Sequence, residues 1–563
     1  MSSKRLPKFG AETAAALAGT AFSAILLVLT SMHAGPLWRD ETNTINVAQM
    51  PSLEELWNNL PFESFPPLWP LLLRGCSCLG LAGSDASIRF LGLVVGMFFL
   101  ALLWLCSRWM GGRTPILSIA LLGSLPAFLF ILGANRAYGL ASCLLVLSFG
   151  MIWRMVEFPS RSRVLGAGLV CFFFAHCIYY DVTFLCAMLA GGAMVAIRRR
   201  QWKALWALVG IGVVSGASMA VYLPIIHRGS AYLPIIRAPS FDPSAVWYGL
   251  CDALAARSSA DPGGANGPQI WFWIGLLLVG LAVAVAMQRT RGRQTQSSEP
   301  AVTSGTTARS DLALFSVVSM VLGIAGYFAF LFRLQFFMQT WYYVGILTLC
   351  AISLDGILGA NWLALRPWGL FRIGFMVVMM TLSARPAWKE AHTRRSNVDL
   401  IADFLGQKAS AGDLIVIQEA WEGITFNRYY HGQTHWLTVP PIDSHMVHRN
   451  DLVMEKMSQP DAMAPVLRDI TNTLRSSNSV WLVGSVPVVR PEHLPPMPPL
   501  PQPELSTEWW LGWYLDYWNT QVTVLLLDHA LQEQVQTIPA NAPVSHFEDL
   551  SVVRFSGYQS DAK

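Results

Sequence analysis

The chain has 563 residues, of which 53% are hydrophobic and 13% are charged, and its mean hydropathy is +0.42. Soluble domains carry about 25% charged residues. A soluble core of this length could not bury so much apolar surface, so the composition excludes a water-soluble globular protein and indicates contact with lipid. The formal net charge of +4 is too small to indicate nucleic acid as a partner.

About eleven apolar segments of membrane-spanning length follow one another up to about residue 384. The sequence therefore predicts a mostly α-helical, polytopic membrane protein with about 11 transmembrane helices. The predicted spans are 13–32, 86–107, 115–133, 138–156, 164–180, 182–197, 204–225, 269–288, 311–332, 341–358 and 367–384.

Lysine and arginine residues concentrate in alternate loops. Lys4, Arg5 and Lys8 precede the first span, and basic residues also follow the second, fourth, sixth, eighth and tenth spans. The positive-inside rule then places the N-terminus in the cytoplasm and the chain after about residue 385 outside a cytoplasmic (inner) membrane. The first span has no small-residue cleavage site, and we interpret it as a retained anchor.

The first outer loop, residues 33–85, opens with the acidic pair Asp40 and Glu41. Two interpretations remain open at this point. Asp40 could cap a short helix while Glu41 faces water, or the two acids could form a functional site at membrane depth, where carboxylates are costly.

The rest of this loop predicts helices that lie along the membrane surface. "SLEELWNNL", from Ser52, places apolar residues on one helical face and acidic or amide residues on the other. In "FESFPPLWPLLLRG", from Phe62, Pro66 and Pro67 force a bend, and the apolar run after them is too short to span.

The chain after residue 384 predicts a small exported α/β domain, residues 385–563, following a membrane domain of residues 1–384. Strand-like segments at 413–418, 435–439 and 479–484 alternate with helical patterns. After a proline-rich break, an aromatic segment begins at Ser506, a candidate N-cap. That segment could rest on the membrane interface or form a buried core helix.

Several polar residues near the predicted outer ends of spans are candidates for substrate binding. Arg39, Arg136 and Arg333 could bind an anionic group, or could simply extend to the interface. His176 and Asp181 could line a cavity, although a histidine that packs between helices is the simpler interpretation of His176. Tyr138, Tyr342 and Tyr343 could stack on a sugar, but interfacial tyrosines are common.

Two histidine-containing segments of the tail resemble metal-site spacing only loosely. They are "HGQTH", from His431 to His435, and "DSHMVH", from Asp443 to His448. These segments do not indicate a divalent metal, although they do not exclude one. We therefore predict no cofactor and no metal ligands.

The first third of the chain resembles the membrane glycosyltransferases of the GT-C fold, in the branch of the protein O-mannosyltransferases and aminoarabinose transferases. The resemblance lies in the acid pair after the first span, the E-x-x-P-P-L segment from Glu63, "SDASIRFLGLVVG" from Ser84, and "NRAYGLASCLLVLS" from Asn135. The later spans match only in pattern.

This resemblance implies transfer of a sugar from a polyprenyl-phosphate donor to a lipid, glycan or protein acceptor on the outer face of the membrane. Asp40 matches the family's catalytic acid and would act as general base in an inverting displacement, with a pKa raised by partial burial. Glu41 would orient the acceptor or assist. Cationic side chains would bind the phosphate that leaves.

One departure concerns donor recognition. Relatives often have histidine or lysine before the Pro-Pro pair, where this chain has Phe65, and Glu63 lies one residue from the position of a family acid. The alternative functions are a transporter or flippase of a lipid-linked substrate, which explains the first outer loop and the large tail poorly, and a noncatalytic envelope-assembly scaffold. The sequence identifies neither the sugar nor the acceptor.

Overall fold

The computed structural model describes residues 10–111, 114–232, 241–255, 257–261, 267–296, 303–335, 339–359, 366–485, 488–489, 495–500 and 510–560. The predicted N-cap Ser506 lies outside these residues, so the start of the aromatic segment is not described.

Within the described residues, nine helical stretches are long and apolar enough to cross a bilayer. They are Ala11–His33, Asp85–Trp109, Ala137–Glu157, Asp181–Arg198, Trp202–Ser230, Gln269–Thr290, Thr307–Leu334, Thr340–Leu358 and Trp368–Ala391. The polytopic helical architecture is confirmed, but the number of eleven is not.

The two remaining predicted spans are helical but short. The segment 115–133 forms two helices of 7 residues each, α6 and α7, and 164–180 corresponds to α9, of 15 residues. A helix needs about 20 residues to cross the hydrocarbon region.

The helices of the membrane part are α1 Ala11–His33, α2 Arg39–Ala48, α3 Leu53–Asn59, α4 Leu68–Cys78, α5 Asp85–Trp109, α6 Ile116–Leu122, α7 Pro126–Leu132, α8 Ala137–Glu157, α9 Arg161–Ala175, α10 Asp181–Arg198, α11 Trp202–Ser218, α12 Leu223–Ser230, α13 Pro243–Leu254, α14 Gln269–Gln296, α15 Thr303–Leu334, α16 Val344–Leu358 and α17 Arg366–Ala391.

The break between α6 and α7 has a visible cause. Gly123 ends α6, and Pro126 occupies the first turn of α7, where its missing N–H costs no helical hydrogen bond. The start of α6 is capped by Asp355 of α16, whose carboxylate accepts hydrogen bonds from the backbone N–H groups of Leu117 and Ser118, each at 3.0 Å. A buried carboxylate on another helix thus satisfies donors that would otherwise be unpaired.

The first loop forms three helices too short to span, α2, α3 and α4, as the sequence predicts. Ser52 caps α3 by accepting a hydrogen bond from the N–H of Glu55 at 3.0 Å. Leu56 is buried, whereas Glu54 and Glu55 are exposed. The loop is therefore a packed unit beside the first membrane helix.

The tail contains a five-stranded sheet with helices on both faces. The strand order is β2-β1-β3-β5-β4, with β1 parallel to β2 and β3, and with β5 antiparallel to both β3 and β4. The three predicted strands are present, and β4 and β5 are additions that the sequence did not predict. The elements are α18 Val398–Lys408, β1 Leu414–Gln418, α19 Glu422–Tyr429, β2 His435–Val439, α20 Asn450–Met457, α21 Ala464–Arg475, β3 Val480–Gly484, α22 Leu511–His529, β4 Ala530–Gln536 and β5 Ser551–Tyr558.

Alternate residues of β1 face two apolar cores, because successive side chains of a strand point to opposite faces. Leu414 and Val416 pack with α20, α21 and α22, while Ile415 and Ile417 pack with α18 and α19. The aromatic helix α22 contributes Trp518 and other buried rings to the first core. The core interpretation therefore holds for the face of that helix that carries Tyr514 and Trp518, whereas Trp513 is exposed.

Candidate active site beside the first membrane helix

Helix α2 begins a few residues after the first membrane helix ends. Gly35 makes the turn between them with φ of +67°, and a Cβ there would lie 2.9 Å from the guanidinium carbon of Arg394. Only glycine fits such a turn without strain. Arg39, Asp40 and Glu41 then form the first turn of α2.

Glu41 is wholly enclosed. Its Oε1 accepts hydrogen bonds from Arg89 Nη1 at 2.5 Å and from the backbone N–H of Asn135 at 2.8 Å, and its Oε2 accepts one from the N–H of Trp38 at 3.4 Å. The side chain has no exposed surface. These contacts join α2 to α5 and to the start of α8, and they leave Glu41 without access to a substrate.

Asp40 is the acid of the pair that remains open, with 19% of its side chain exposed. Its Oδ2 lies 3.6 Å from Arg136 Nη2, and its Oδ1 lies 3.5 Å from His448 Nε2 and 3.9 Å from Arg39 Nε. Burial by itself raises the pKa of a carboxyl, but Arg136, His448 and Arg39 together outweigh it and hold the pKa of Asp40 well below its usual value. The expected upward shift of this pKa is therefore wrong, because three cationic or hydrogen-bonding groups surround the carboxylate.

The guanidinium of Arg136 is held by the buried carboxylate of Glu63. Its Nη1 donates to Glu63 Oε1 at 2.9 Å, to Thr44 Oγ1 at 2.6 Å and to the backbone carbonyl of Asp40 at 3.0 Å. Its Nε has no hydrogen-bond partner among the described residues. Nε is therefore a guanidinium nitrogen without a partner among the described residues, whereas Nη2 forms an ion pair with Asp40 Oδ2.

Glu63 is fully buried and shares its oxygens among several donors. Besides Arg136, its Oε2 accepts hydrogen bonds from Asn43 Nδ2 at 2.9 Å and from Thr44 Oγ1 at 2.8 Å. Glu63 therefore lies within the candidate site, but it positions Arg136 and α2 and presents no free oxygen to a ligand.

Phe65, which precedes the Pro-Pro pair, packs its ring against the guanidinium of Arg136, with the guanidinium carbon 4.4 Å from the ring centroid. Tyr138 contacts the same ring edge-on, with centroids 5.0 Å apart, and its centroid lies 6.4 Å from that of Tyr342. Tyr138 is also buried. These aromatic rings therefore pack together beside the guanidinium of Arg136.

Three predicted substrate-binding residues are not in this group. His176 uses both ring nitrogens, Nδ1 toward Tyr222 at 2.5 Å and Nε2 toward Ser218 at 3.0 Å, which is the helix-packing arrangement. Asp181 is buried at the start of α10, and its Oδ2 has no partner in the part of the chain that the structure describes. Arg333 is exposed in the last turn of α15.

The sequence did not indicate that the tail reaches this site. The loop before α20 contacts one face of α2: Asn46 Nδ2 donates to the carbonyl of Met446 at 2.7 Å, and the N–H of His448 donates to Asn43 Oδ1 at 2.8 Å. Val447, between them, is buried in a cluster that includes Val47. These contacts bring His448 to Asp40, and the only signal in the sequence was the loose histidine spacing of "DSHMVH".

The tail also places three acids near Arg39. Burial and the nearby Glu419 raise the pKa of Glu422 well above its usual value, and burial raises the pKa of Glu548 to about 7. Burial alone would lower the pKa of Arg39, but the negative charges of Asp40 and of these acids raise it. Arg39 therefore faces carboxyl groups, which makes it a poorer anion ligand than the sequence suggested.

Among the described residues, no group of three or more His, Cys, Asp and Glu side chains is arranged to hold a metal ion. The two histidine segments of the tail do not form such a group in the described part of the chain.

No family model and no curated protein matches the chain. Among solved structures, it is similar to ArnT from Cupriavidus metallidurans bound to undecaprenyl phosphate, with 13% identity, 97% of this chain and 98% of that chain covered, and a TM-score of 0.35. It is also similar to the apo state of that protein, with 14% identity, 84% and 93% covered, and a TM-score of 0.35. Values this low do not transfer an activity, a ligand or a residue's role to this chain.

Proposed function

We propose that this chain is a membrane glycosyltransferase that moves a sugar from a polyprenyl-phosphate donor to an acceptor hydroxyl, with inversion, at the site around Asp40. The observation that carries the proposal is the carboxylate of Asp40, which is partly exposed, stays ionised and lies within 4 Å of Arg136, Arg39 and His448 beside the end of the first membrane helix. A donor anchored in lipid by its prenyl chain needs such a site next to a membrane helix.

The residues around Asp40 have distinct roles in this proposal. Nε of Arg136, which has no partner among the described residues, and Nη2, which also faces Asp40, would donate hydrogen bonds to the phosphate that leaves. Glu63 and the ring of Phe65 would hold that guanidinium in place. Glu41 would fix the first turn of α2 through Arg89 and would not touch the substrate.

The remaining expectations belong to the same proposal. The membrane unit, residues 1–384, would present the site on the outer face of a cytoplasmic membrane, with the N-terminus inside and the tail, residues 385–563, outside. Tyr138, whose ring contacts Phe65 beside Arg136, would contribute to donor binding. The acceptor is a hydroxyl of a lipid, glycan or protein.

An Asp40→Asn variant tests this function, with Asp403→Asn as the matched control, since Asp403 is exposed on α18. Cells that lack the protein are complemented with each variant, and their lipid-linked sugars are extracted and measured by mass spectrometry. We expect Asp40→Asn to leave a polyprenyl-phosphate sugar accumulated at the level of cells that lack the protein, because the variant removes the carboxylate on which proton transfer at this site depends. Proton transfer contributes about 10²-fold or more to such reactions. Asp403→Asn should clear the accumulated sugar. Normal clearance by Asp40→Asn at normal membrane insertion would instead favour a transporter or scaffold.

A further inference from the structure

His448 belongs to the tail, yet its side chain lies at the centre of the candidate site. Its Nε2 is 3.5 Å from Asp40 Oδ1, and 19% of each side chain is exposed. The ring contact found for His448 among the residues that the structure describes is made by Nε2, and none is found there for the other ring nitrogen, Nδ1. The contact is longer than a typical hydrogen bond of about 2.9 Å, as catalytic contacts often are before substrate binds.

The backbone of the loop is held independently of this ring. Asn43, Asn46 and Val47 lie on the face of α2 that also carries Asp40, and they bind the three successive residues 446–448. The side chain of Asn43 also donates to Glu63, so one residue joins the loop to the anchor of Arg136. The position of His448 is thus built into the interface and does not depend on its pairing with Asp40.

An ionised carboxylate that faces one nitrogen of an imidazole favours the tautomer with the proton on that nitrogen. Here Nε2–H would point at Asp40, and the lone pair of Nδ1 would be available to accept a proton. The same carboxylate would stabilise the imidazolium once it forms. Because Arg136 and Arg39 stabilise the ionised form of Asp40, its carboxylate is suited to this supporting role and is itself a weak base.

Resting on the function proposed above, we propose that His448 takes the proton from the acceptor hydroxyl, while Asp40 orients its ring. In this step the O–H bond of the acceptor breaks and its proton moves to Nδ1 of His448. The acceptor oxygen forms a bond to the anomeric carbon. The bond from that carbon to the phosphate oxygen breaks, and its electron pair leaves with the polyprenyl phosphate.

The charged groups that face His448 are few. Asp40 lies opposite its ring, Arg136 contacts the other oxygen of that carboxylate, and Arg39 lies 3.9 Å from the same Oδ1 that faces His448. On its own loop, Arg449 is paired with Asp451 at 2.6 Å.

The test uses the full-length protein in membranes. The donor is the polyprenyl-phosphate sugar fraction extracted from cells that lack the protein, and the acceptor is the whole envelope fraction of the same cells, including its proteins. Rates are measured from about pH 5 to pH 9, the range in which imidazole groups titrate. The variants are His448→Gln, Asp40→Asn and the control His431→Gln, whose side chain is exposed in the same tail.

We expect His448→Gln to lower the rate about 10²-fold or more and to abolish the fall in rate on the acid side of the profile. The control should behave as the wild type. An unchanged rate, or a lower rate with an unchanged pH profile, overturns the role of His448 as proton acceptor.

His448→Ala provides a second measurement. The rates with and without added imidazole are compared within this one variant, so differences in folding between variants do not affect the result. Added imidazole should restore transfer by this variant and not by Asp40→Asn, and lack of rescue counts against the proposal. A wild type that transfers no sugar, or an active Asp40→Asn variant, would instead overturn the proposed function. Active wild type and inactive Asp40→Asn with fully active His448→Gln would overturn only the inference about His448.

Discussion

Glu63 Oε1 accepts a hydrogen bond from Arg136 Nη1 at 2.9 Å, and both side chains are almost completely buried. This pair ties the loop before α4 to the start of α8, and it sets the direction of the guanidinium relative to Asp40. Breaking a buried ion pair is costly because the remaining charge keeps no partner in a region that excludes water.

Replacement of Glu63 should therefore damage both stability and activity. We expect Glu63→Ala to lower the free energy of unfolding by about 3–5 kcal/mol, and Glu63→Gln to lower the transfer rate while losing less stability. Thermal unfolding in detergent and the transfer assay measure the two effects. Glu55→Gln, an exposed substitution on α3, is the control. Equal behaviour of Glu63→Gln and the control would argue against a role for Glu63 in positioning Arg136.

Replacement of Glu41 should show a structural effect. Because Glu41 is enclosed by Arg89 and the N–H of Asn135, Glu41→Gln should lower the apparent Tm. The rate per folded molecule should fall by less than the fall caused by Asp40→Asn. Purified protein, with the folded fraction determined by size-exclusion chromatography, separates the two effects. A stable Glu41→Gln variant without transfer activity would return Glu41 to the catalytic group.

The tail is also fixed by Tyr429, whose hydroxyl donates to Asp85 Oδ2 at 2.5 Å and accepts from the N–H of Leu37 at 2.7 Å. Tyr429→Phe leaves that N–H without its partner, which costs about 1–3 kcal/mol. We expect faster proteolysis between the membrane part and the tail, together with slower transfer, because His448 is delivered by the tail. Tyr248→Phe, at an exposed position, should change neither property.

His176 should be dispensable for chemistry. Both ring nitrogens are used by Tyr222 and Ser218, so His176→Leu removes two hydrogen bonds between helices and should lower the apparent Tm. The transfer rate of the folded fraction should stay within about threefold of wild type, as expected for a substitution outside the site. A much lower rate at unchanged Tm would place His176 in the substrate site after all.

Glu548 should make the protein less stable as the pH rises. Its pKa is raised from 4.5 to about 7 in the folded chain by burial, so the folded state binds the proton more tightly than the unfolded state. Stability is then lost as the pH rises from about 4.5 through about 7, by at most about 1–3 kcal/mol.

Glu548→Gln removes this titration but keeps a group that can accept from Thr425, as Glu548 Oε1 does at 2.7 Å. We expect the variant to gain apparent Tm over the wild type at about pH 8.5 and to differ little at about pH 5. A constant difference between the two proteins across this range would show that Glu548 does not titrate there.

Local features of the sequence were enough to predict nine of the membrane helices in the described residues and the three parallel strands of the tail. The free energies of transferring apolar residues into lipid add up along a segment, so the composition of a segment identifies it as a candidate span. The apolar runs "LIVI" and "VWLV" likewise identify β1 and β3, whose residues are all buried. The polar strand β4 escaped prediction because it lies at the edge of the sheet, where most of its side chains are exposed.

The candidate site was likewise predictable from the sequence only in part. Asp40 and Arg136 could be selected from the sequence because charged groups beside membrane spans are costly and few, and Glu63 because its segment resembles that of a known family. Their separate roles could not, since Glu41 and Asp40 are neighbours in the chain and only the packing of α5 and α8 decides that Glu41 is enclosed.

By itself, the sequence determined that this chain enters a membrane, that an α/β tail follows, and that acids stand beside the first span. These are properties of segments, set by the solvation of each residue and by local periodicity. Only the tertiary structure placed His448 against Asp40 and turned Glu63 toward Arg136. Such contacts join residues far apart in the chain, and they depend on how the tail packs on α2.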